Sequence, residues 1–546
     1  MADSFDYIIV GAGSAGCVIA NRLTEDPSVS VLLLEAGGED KQFFYRLALG
    51  FHSWRYPETN WDYETEPEPH LGGRRIGLPR GKVLGGSSTI NAMLYSRGHP
   101  GDYDLWRQMG CTGWGFEDVL PYFRRAETNW RGETDYHGGS GPLQVSRVPT
   151  ERFLGKPVIE AARRLGYPIT DDHHGEQPEG FGGGDTTTDA RGRRSSASRA
   201  YLDPVRSRPN LTIITRAMAR RILMQNRRAV GVEVERDGEV RYFGARREVI
   251  LSGGVYNSPQ LLMLSGIGPA EHLREMGIEP VADLPGVGRN LSEHAGFWSQ
   301  YATKENVTLL NELRADKLAL SFARWLVFGT GVMASQCNSC HAEIRTQEDV
   351  AQPDIQIYFN PVRADAKPWF PGIGERQEHR LTAVTCLLQP RSRGWVKLRS
   401  ADPKDKVRIT LNLMADQWDV DTLVRGVERV RELYATPPLS DLVARELMPG
   451  PDVRSRDEIE AWLRETLITT HHSVGTCAMG IGEEAVVDPQ LRVRGIEGLR
   501  VCDASIMPTV PGGNTNAPSI MVGEKAADLI RGQSLPAADI DRREAA

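Results

Sequence analysis

The sequence lacks long apolar runs and any strong excess of charge, and both shortages restrict what the protein can do. No stretch reaches the roughly 18 apolar residues that a membrane-spanning helix needs, and the nearest one, 318–333, contains Arg324, Gly329 and Gly331. We expect this stretch to form a helix packed on its own protein, with peripheral membrane contact as the alternative. A net charge of −7 over 546 residues provides no basic face for nucleic acid.

Cysteine is also scarce. The seven cysteines are an odd number, and residues 1–6 lack the basic start of a secretion signal, so we expect a reduced, cytoplasmic chain. Cys337, Cys340 and His341 match the C-x-x-C-H pattern of c-type haem attachment, but no export signal accompanies the pattern. A single C-x-x-C pair has too few ligands for zinc. No metal site is therefore predicted, and the two thiols are interpreted as part of a loop or pocket wall.

A complete dinucleotide-binding pattern stands near the start of the chain. Residues 5–10 are an apolar, strand-like run, and residues 11–16 read G-A-G-S-A-G before an apolar helical segment. A second strand-like run, 29–34, ends at Glu35. Strand, glycine turn, helix, strand and acid form the βαβ fingerprint. The length of the chain favours two domains, or one elaborated α/β unit, around this fingerprint.

Each position in the fingerprint has a physical role. Gly11 permits the tight turn, Gly13 lets the backbone approach a pyrophosphate, and Gly16 lets the helix and sheet pack closely. The helix N-terminus offers N–H groups and a positive dipole to phosphates. Glu35 follows Gly16 by 19 residues and can accept hydrogen bonds from ribose hydroxyls. The predicted dinucleotide-binding residues are Gly11, Gly13, Ser14, Ala15, Gly16, Glu35 and Ala36.

The rest of the chain does not continue in regular βαβ units, which favours FAD over NAD. Segment 80–91, R-G-K-V-L-G-G-S-S-T-I-N, is predicted to be a loop whose backbone amides approach a ligand closely. Strands are predicted at 211–214, 229–234, 248–254, 355–359, 381–388 and 499–504, and helices at 419–434, 456–466 and 519–530. The mixture of β-like runs and helices between 300 and 480 indicates an antiparallel substrate domain with helices packed on it.

Taken together, these segments resemble the glucose–methanol–choline (GMC) oxidoreductase family. The motifs that carry the resemblance are the fingerprint, segment 81–92, segment 254–268, and the C-terminal H-S-V-G-T-C at 472–477 with 503–508 and 514–518. Segment 285–294, P-G-V-G-R-N-L-S-E-H, also looks like the family's signature. Within the family, 63–69 and 135–139 look most like bacterial choline dehydrogenases and their alcohol dehydrogenase relatives.

The resemblance implies an α/β fold (α+β overall) of two domains. One is a Rossmann-like FAD-binding domain of discontinuous segments, and the other is an antiparallel-sheet substrate domain with helices that covers the flavin. On this basis the FAD-binding domain comprises 1–150, 211–300 and 481–535, and the substrate domain comprises 151–210 and 301–480. Residues 536–546 are a tail, and 539–546 are expected to be frayed.

The resemblance also implies the residues that hold the cofactor. Gly85, Ser87, Asn91 and Ala92 would line the flavin, Ala219 would contact the adenine end, and Asp503 and Ala504 would lie by the pyrophosphate and ribityl chain. Some family members tether FAD covalently through a histidine in the Gly-Gly-Ser-Ser loop. That position is Ile90 here, which offers no nucleophile, so noncovalent FAD is expected.

Alcohol oxidation requires loss of the hydroxyl proton and transfer of a hydride from the same carbon. A neutral imidazole suits the proton transfer at neutral pH, and a second hydrogen-bonding group should fix the developing oxyanion against flavin N5. The resemblance assigns these roles to His472 and Asn516. Asn514 is the alternative for the role of Asn516, although it is rather expected to shape the turn with Gly512 and Gly513.

Three positions bear on the substrate. In choline-specific relatives an aromatic residue tends to precede the catalytic histidine and to hold the quaternary ammonium by cation–π attraction, whereas His471 stands there in this chain. Cys337 and Cys340 fall in a region that borders the substrate in relatives, which indicates a changed pocket. A primary alcohol, aliphatic or benzylic, is the preferred substrate class, with choline as the alternative.

Other functions stay open at this point. Oxygen, a quinone or a protein carrier could each accept the electrons, so oxidase and dehydrogenase are both compatible with the motifs. A few family relatives are lyases that keep FAD as a structural element and cleave cyanohydrins. A noncatalytic flavin-binding protein is disfavoured because both His472 and Asn516 are present. The sequence does not predict an oligomeric state.

Overall fold

Two large sheets organise the chain. The computed structural model describes residues 3–49, 57–148, 150–151, 154–334, 338–363, 365–373 and 377–540. The first sheet is mostly parallel and carries the predicted fingerprint, while the second is antiparallel. The fold class expected from the sequence is therefore confirmed.

The first sheet has seven strands. In spatial order they are Leu211–Ile214, Val31–Leu34, Ser4–Val10, Glu239–Leu251, Arg228–Arg236 and Met218–Gln225, with Leu499–Val501 paired to the end of Glu239–Leu251. The first four and Leu499–Val501 pair in parallel, and Arg228–Arg236 and Met218–Gln225 add an antiparallel extension. The centre of the parallel part consists of buried apolar residues, among them Ile8, Ile9, 31–34 and 249–251, as strands covered on both faces require.

Two helices cover this sheet next to the fingerprint. Ser14–Leu23 follows directly from Ser4–Val10, and the last helix, Asn516–Arg531, packs against it. A Cβ on Gly523 would lie 2.8 Å from the Ala15 carbonyl oxygen, so glycine permits this close approach. The packing brings the C-terminal motif beside the N-terminal glycines.

The second sheet is antiparallel throughout. Its strands, in spatial order, are Val443–Met448, Ala295–Thr303, Arg380–Leu387, Ile355–Asn360, Cys340–Ile344 and Gly180–Gly182, with Ile468–Thr469 paired to Ala295–Thr303. Helices Gly155–Arg164 and Gln417–Tyr434 bury apolar residues against one face of this sheet. Its other face carries Tyr358, Thr382 and Val384, which line a cavity that extends to the first sheet.

The remaining elements surround these two sheets. The other helices are Pro100–Gln108, Phe116–Ala126, Gly254–Leu264, Ala270–Glu275, Ala315–Phe328, Leu439–Leu442 and Arg456–Thr466. The other strands are Tyr63–Glu64, Gly77–Leu78, Leu94–Tyr95, Glu127–Asn129, Leu143–Arg147, Asp185–Thr186, Ile267–Gly268, Ala282–Asp283, Trp395–Lys397 and Arg408–Thr410. Among the described residues, no helix has both the length and the apolar composition needed to cross a membrane.

The segment 318–333 falls largely in helix Ala315–Phe328. Trp325 and Ser321 are buried, which is the expected packing on the protein itself. The opposite face is open, since Val327 is 73% exposed and Phe328 and Leu320 are each 71% exposed. Peripheral contact through this face stays a prediction, as do the segment boundaries of the two domains. Residues 541–546 of the predicted frayed tail lie outside the described residues.

Candidate active site

One cavity of about 850 Å³ connects the fingerprint to the C-terminal histidines. Its walls include these predicted cofactor residues: Gly11, Gly13, Ser14, Ala15, Glu35, Ala36, Ser87, Asn91, Ala92, Ala219, Asp503 and Ala504. Its walls also include His471, His472 and Asn516. Gly16 and Gly85 do not line the cavity. They pack against the backbone of the turn that does.

The glycine turn leaves room for a phosphate group. A Cβ on Gly16 would lie 1.9 Å from the Gly11 carbonyl oxygen, so close packing of helix and turn requires glycine there. A Cβ on Gly13 would meet only the Ser252 carbonyl oxygen, at 3.9 Å, and would otherwise project into the cavity. Helix Ser14–Leu23 begins here without a side-chain cap. Its free N–H groups face the space in which a pyrophosphate would fit.

Glu35 presents a carboxylate that is incompletely bonded. Oε2 accepts a hydrogen bond from the Ala12 N–H at 3.0 Å, and Oε1 accepts one from the Gly37 N–H at 2.8 Å. Burial raises the pKa of Glu35 to about 7, against the opposing effect of these two bonds. Each oxygen has a further lone pair, so two ribose hydroxyls would fit this carboxylate.

The Gly/Ser segment forms a single turn of 3₁₀ helix, Gly86–Thr89, against the fingerprint. Gly85 has a φ of +85° and its N–H donates to the Ala12 carbonyl at 2.8 Å. Left-handed backbone of this kind favours glycine. Ile90 is 5% exposed and packs with Tyr45 and Val83. The turn therefore carries no side chain able to form a covalent bond to a flavin at that position.

Asp503 holds the other side of the same cavity. Its Oδ2 accepts hydrogen bonds from the Ser258 hydroxyl at 2.6 Å and the Gly254 N–H at 2.9 Å. Oδ1 accepts from the Ser505 N–H at 2.8 Å. These bonds join helix Gly254–Leu264 to the C-terminal motif. The shape of the cavity, its free helix N-terminus and its two carboxylates thus fit a bound FAD.

His472 lies at the far end of the cavity with both ring nitrogens hydrogen-bonded. Nδ1 lies 3.0 Å from Nδ1 of His294 and 3.0 Å from the Thr470 hydroxyl oxygen. Nε2 of His294 lies 3.2 Å from the Leu388 carbonyl oxygen, which can only accept. His294 must therefore carry its proton on Nε2, so its Nδ1 accepts from His472. This order leaves Nε2 of His472 without a proton.

A buried glutamate positions the backbone of His472. Glu293 Oε1 accepts a hydrogen bond from the His472 N–H at 2.6 Å, and Oε2 accepts one from the Ser473 hydroxyl. Arg80 donates to the Ser473 oxygen at 2.8 Å and lies 3.7 Å from Glu293 Oε2. Glu293 and His294 close the segment 285–294, which the sequence singled out without giving it a role. Their partnership with His472 is what sequence reasoning missed.

Burial controls the charge of the histidines at this end. The pKa of His472 is held well below its ordinary value by burial, and the electrostatic effects of His294, His471 and Arg80 act in the same direction. Burial also lowers the pKa of His294 to about 3. Both rings are therefore neutral at physiological pH, as a general base requires.

The asparagine beside His472 is Asn514. Its Nδ2 lies 2.9 Å from Nε2 of His472, and its Oδ1 accepts a hydrogen bond from the Tyr358 hydroxyl at 2.8 Å. Asn516 begins the last helix, and its Oδ1 accepts from the Ser14 hydroxyl at 2.8 Å. The expectation that Asn514 only shapes a turn is corrected, because its side chain contacts the predicted base. Asn516 is bonded to the fingerprint instead.

The predicted pocket residues are only partly brought together. His471 lines the cavity with a φ of +67°, and burial followed by the nearby Arg80 lowers its pKa to about 3. Cys340 does not line the cavity. It is fully buried in strand Cys340–Ile344, on the face packed against helix Gly155–Arg164, since alternate strand residues point to opposite faces. Cys337 lies outside the described residues.

The substrate end of the cavity has aromatic and apolar walls and no described carboxylate. Trp298, Tyr358, Val384 and Leu313 contribute to these walls. The acidic residues among the described lining are Glu35 and Asp503, both at the fingerprint end. The lining arginines Arg80 and Arg363 lie 3.7 Å and 2.5 Å from the carboxylates of Glu293 and Asp365. This part of the cavity therefore offers aromatic and apolar surface without a described carboxylate.

Comparisons with known proteins agree with this architecture. Two GMC oxidoreductase profiles match residues 5–296 and 390–523. An oxygen-dependent choline dehydrogenase of Chromohalobacter salexigens is 45% identical, covering 99% of this chain and 97% of that protein. Pyridoxine 4-oxidase of Mesorbium loti superimposes with a TM-score of 0.86 at 30% identity, covering 97% of this chain and 100% of that one. A formate oxidase superimposes with a TM-score of 0.90 at 29% identity, covering 97% of this chain and 98% of that one.

The family profiles span more than half of the sequence, and the choline dehydrogenase match spans nearly all of it. Among the described residues, no cluster of His, Cys, Asp or Glu is arranged to hold a metal ion. The cavity geometry and the matches point to the same flavin-dependent chemistry. The chain belongs to the GMC oxidoreductase family and is a choline dehydrogenase-like flavoprotein that oxidises CH–OH donors.

Proposed function

We propose that this enzyme oxidises an uncharged primary alcohol, aliphatic or benzylic, to the aldehyde, with Nε2 of His472 as the base. The observation that carries the proposal is the chain of hydrogen bonds from His472 to His294 and from His294 to the Leu388 carbonyl. It leaves an unprotonated nitrogen facing the cavity. A substrate hydroxyl at this nitrogen would lose its proton to His472 as the carbon–hydrogen bond breaks.

Asn514 is the residue we propose to hold the substrate oxygen. Because Nε2 of His472 carries no proton, Asn514 presents its Nδ2 to that nitrogen and its Oδ1 to the Tyr358 hydroxyl, which also contacts Gln356 Oε1. An amide donor stabilises a developing alkoxide without competing for its proton. Tyr358 is thus a positioning residue, and Asn516 is proposed to support the cofactor through Ser14.

Noncovalent FAD is part of the proposal. The residues proposed to hold it are the cofactor set that lines the cavity, together with the free N-terminus of helix Ser14–Leu23. When bound, FAD supplies the hydride acceptor of the reaction. Ile90 supports noncovalent binding, because its buried alkyl side chain cannot form the histidyl link.

The substrate class is inferred from charge. Choline is the named substrate of the 45% identical relatives, yet a quaternary ammonium gains most from carboxylates and aromatic faces. The described walls at the substrate end provide Trp298 and Tyr358 but no carboxylate to pair with a cation. Choline remains the second candidate because of that relationship.

The test is anaerobic flavin reduction by a panel of alcohols. Purified FAD-loaded enzyme is mixed with choline, aliphatic alcohols, benzylic alcohols and polyols, and loss of oxidised-flavin absorbance is followed. Bleaching by neutral alcohols at lower concentration than by choline supports the proposal, and preferential bleaching by choline overturns the substrate class. Admitting air afterwards separates oxidase from dehydrogenase. No bleaching with intact FAD would favour lyase chemistry.

Replacing His472 tests the base separately. His472→Ala should lower the rate constant for flavin reduction by about 10²–10⁴-fold, the usual contribution of a general base. His70→Ala, which removes a partly exposed histidine outside the cavity lining, is the matched control. A loss of only a few-fold in His472→Ala would refute the assignment.

A further inference from the structure

A second cavity of about 720 Å³ shares no lining residue with the first. It lies between helix Ser14–Leu23, the segment 189–208 and the strand Leu143–Arg147. Six arginines contribute to its walls: Arg22, Arg46, Arg193, Arg194, Arg199 and Arg208. The acidic residues of the same walls are Glu25, Asp189 and Asp203. Positive charge therefore exceeds negative charge around this cavity.

The acidic residues of this second cavity are already paired. Asp189 accepts from Arg193 at 2.7 Å, and Asp203 accepts from Arg206 at 2.9 Å. Glu25 pairs with Arg22 at 2.9 Å. Within the part of the chain that the structure describes, Arg46, Arg194 and Arg199 form no ion pair. These three guanidinium groups thus have no directly paired carboxylate among the described residues, although the charges of Asp40 and Asp203 act on Arg199 from a longer distance.

Arg194 is the most constrained of the three. It is 2% exposed, and its Nη1 donates to the Asn91 carbonyl and to Asn91 Oδ1, each at 2.7 Å. Its Nε and Nη2 are buried without a hydrogen-bond partner. Burial lowers the pKa of Arg194 to about 9, and the charge of Arg199 acts in the same direction. A buried cation with two free donors is costly unless something accepts from it.

We propose that this second cavity binds a small oxyanion, with Arg194 and Arg199 as its principal donors and Arg46 at its open side. The edge of a guanidinium presents two parallel N–H groups, a geometry that matches carboxylate and phosphate oxygens. Arg199 lines the cavity with its guanidinium free of any described hydrogen bond. Arg46 is exposed and adds charge where an ion would enter.

The proposed oxyanion would act on the flavin loop through Arg194. Arg194 lines the cavity, and its Nη1 also holds Asn91 and lies 3.3 Å from the Ser88 carbonyl oxygen. An anion at Nε and Nη2 would offset the buried charge and fix the side chain that supports this loop. The site therefore couples anion concentration to the stability of the FAD-loaded enzyme.

Calorimetric titration of inorganic phosphate into the full-length, FAD-loaded enzyme tests the proposal. Bound FAD occupies the phosphate-binding turn of the first cavity, so phosphate cannot bind at that turn and add to the measured signal. In a chloride-poor buffer, phosphate should bind saturably, and Arg199→Gln should weaken it about tenfold or more, the effect of one charged hydrogen bond. Arg46→Gln should weaken it less. Arg194 itself is left intact because it supports Asn91.

The matched control is Arg274→Gln, which removes an exposed arginine outside the cavity. Unchanged phosphate affinity in Arg274→Gln, together with weakened affinity in Arg199→Gln, supports the site. Equal affinity in wild type and Arg199→Gln overturns it, as does the absence of saturable binding. Melting temperature provides a second readout, since phosphate should raise it above sodium chloride of equal ionic strength in wild type but not in Arg199→Gln.

Discussion

The Nδ1 atoms of His294 and His472 lie 3.0 Å apart, with the two rings nearly perpendicular at 88°. Two neutral imidazoles can share this contact only if one nitrogen is protonated and the other is not. The Leu388 carbonyl decides which, because it accepts from the remote nitrogen of His294. A backbone atom in the substrate domain thereby selects the tautomer of the proposed base.

His294→Ala should slow flavin reduction while leaving His472 in place. It removes one acceptor of a buried N–H, and the Thr470 hydroxyl at 3.0 Å remains. Loss of such a partner costs about 1–3 kcal/mol, or roughly 5- to 150-fold in rate. His294→Asn should recover part of the rate, because an amide oxygen can accept the same proton. Stopped-flow reduction under saturating alcohol measures both, with His70→Asn as control. Equal rates in the Ala and Asn variants would show that His294 only fills space.

Asn514 and Asn516 should give different phenotypes when each is replaced by Ala. Asn514→Ala removes the donor 2.9 Å from His472 Nε2 and should lower the reduction rate about 10²–10³-fold, as loss of an oxyanion donor does. Asn516→Ala removes the acceptor of the Ser14 hydroxyl and should mainly weaken FAD binding. Reduction kinetics and FAD content are measured on both. The reverse pattern would restore the role that the motif resemblance gave to Asn516.

The short parallel strands near the fingerprint were predictable because their sequences are mostly apolar. The run 211–214 became strand Leu211–Ile214, and 5–10 became Ser4–Val10. Helix 456–466 was also correct as Arg456–Thr466, where Ser455 and Glu458 form a capping box. Local signals of this kind need no knowledge of the rest of the chain.

The catalytic neighbourhood was less predictable because its contacts are long-range. His294 and His472 are 178 residues apart, and no local pattern links them. Asn514 and Asn516 differ by two positions at a helix start, so a motif alone cannot tell which side chain turns toward His472. Cys340 was placed wrongly for a related reason, since the face of a strand that borders a cavity depends on the sheet packed behind it.

Gly13→Ala and Gly16→Ala should separate cofactor binding from folding. An added Cβ at Gly16 would lie 1.9 Å from the Gly11 carbonyl oxygen, whereas at Gly13 it would enter the cavity. Gly16→Ala should lower the free energy of unfolding by about 1–3 kcal/mol or more through overpacking. Gly13→Ala should lower FAD affinity while the fold itself is unstrained.

Melting temperature with and without added FAD distinguishes the two glycine variants. Saturating FAD should restore the melting temperature of Gly13→Ala toward that of wild type, because ligand binding stabilises the folded state by mass action. It should not restore Gly16→Ala. Full recovery of both variants would mean that the close contact at Gly16 relaxes without cost.

The pH dependence of flavin reduction should show a base that stays neutral in mild acid. Protonation of His472 would inactivate it, and burial holds its pKa well below the ordinary value of 6.5. The rate constant should therefore stay level as the pH falls through 6.5 and decline only below that value. His294 has a pKa of 6.5 in the unfolded chain and of about 3 in the folded protein. Its contribution to the free energy of unfolding is therefore complete above pH 6.5 and decreases as the pH falls toward 3. Circular dichroism at each pH separates this loss of folded protein from protonation of the base. A decline centred at pH 7 or above, in protein that remains folded, would contradict the buried, neutral state of His472.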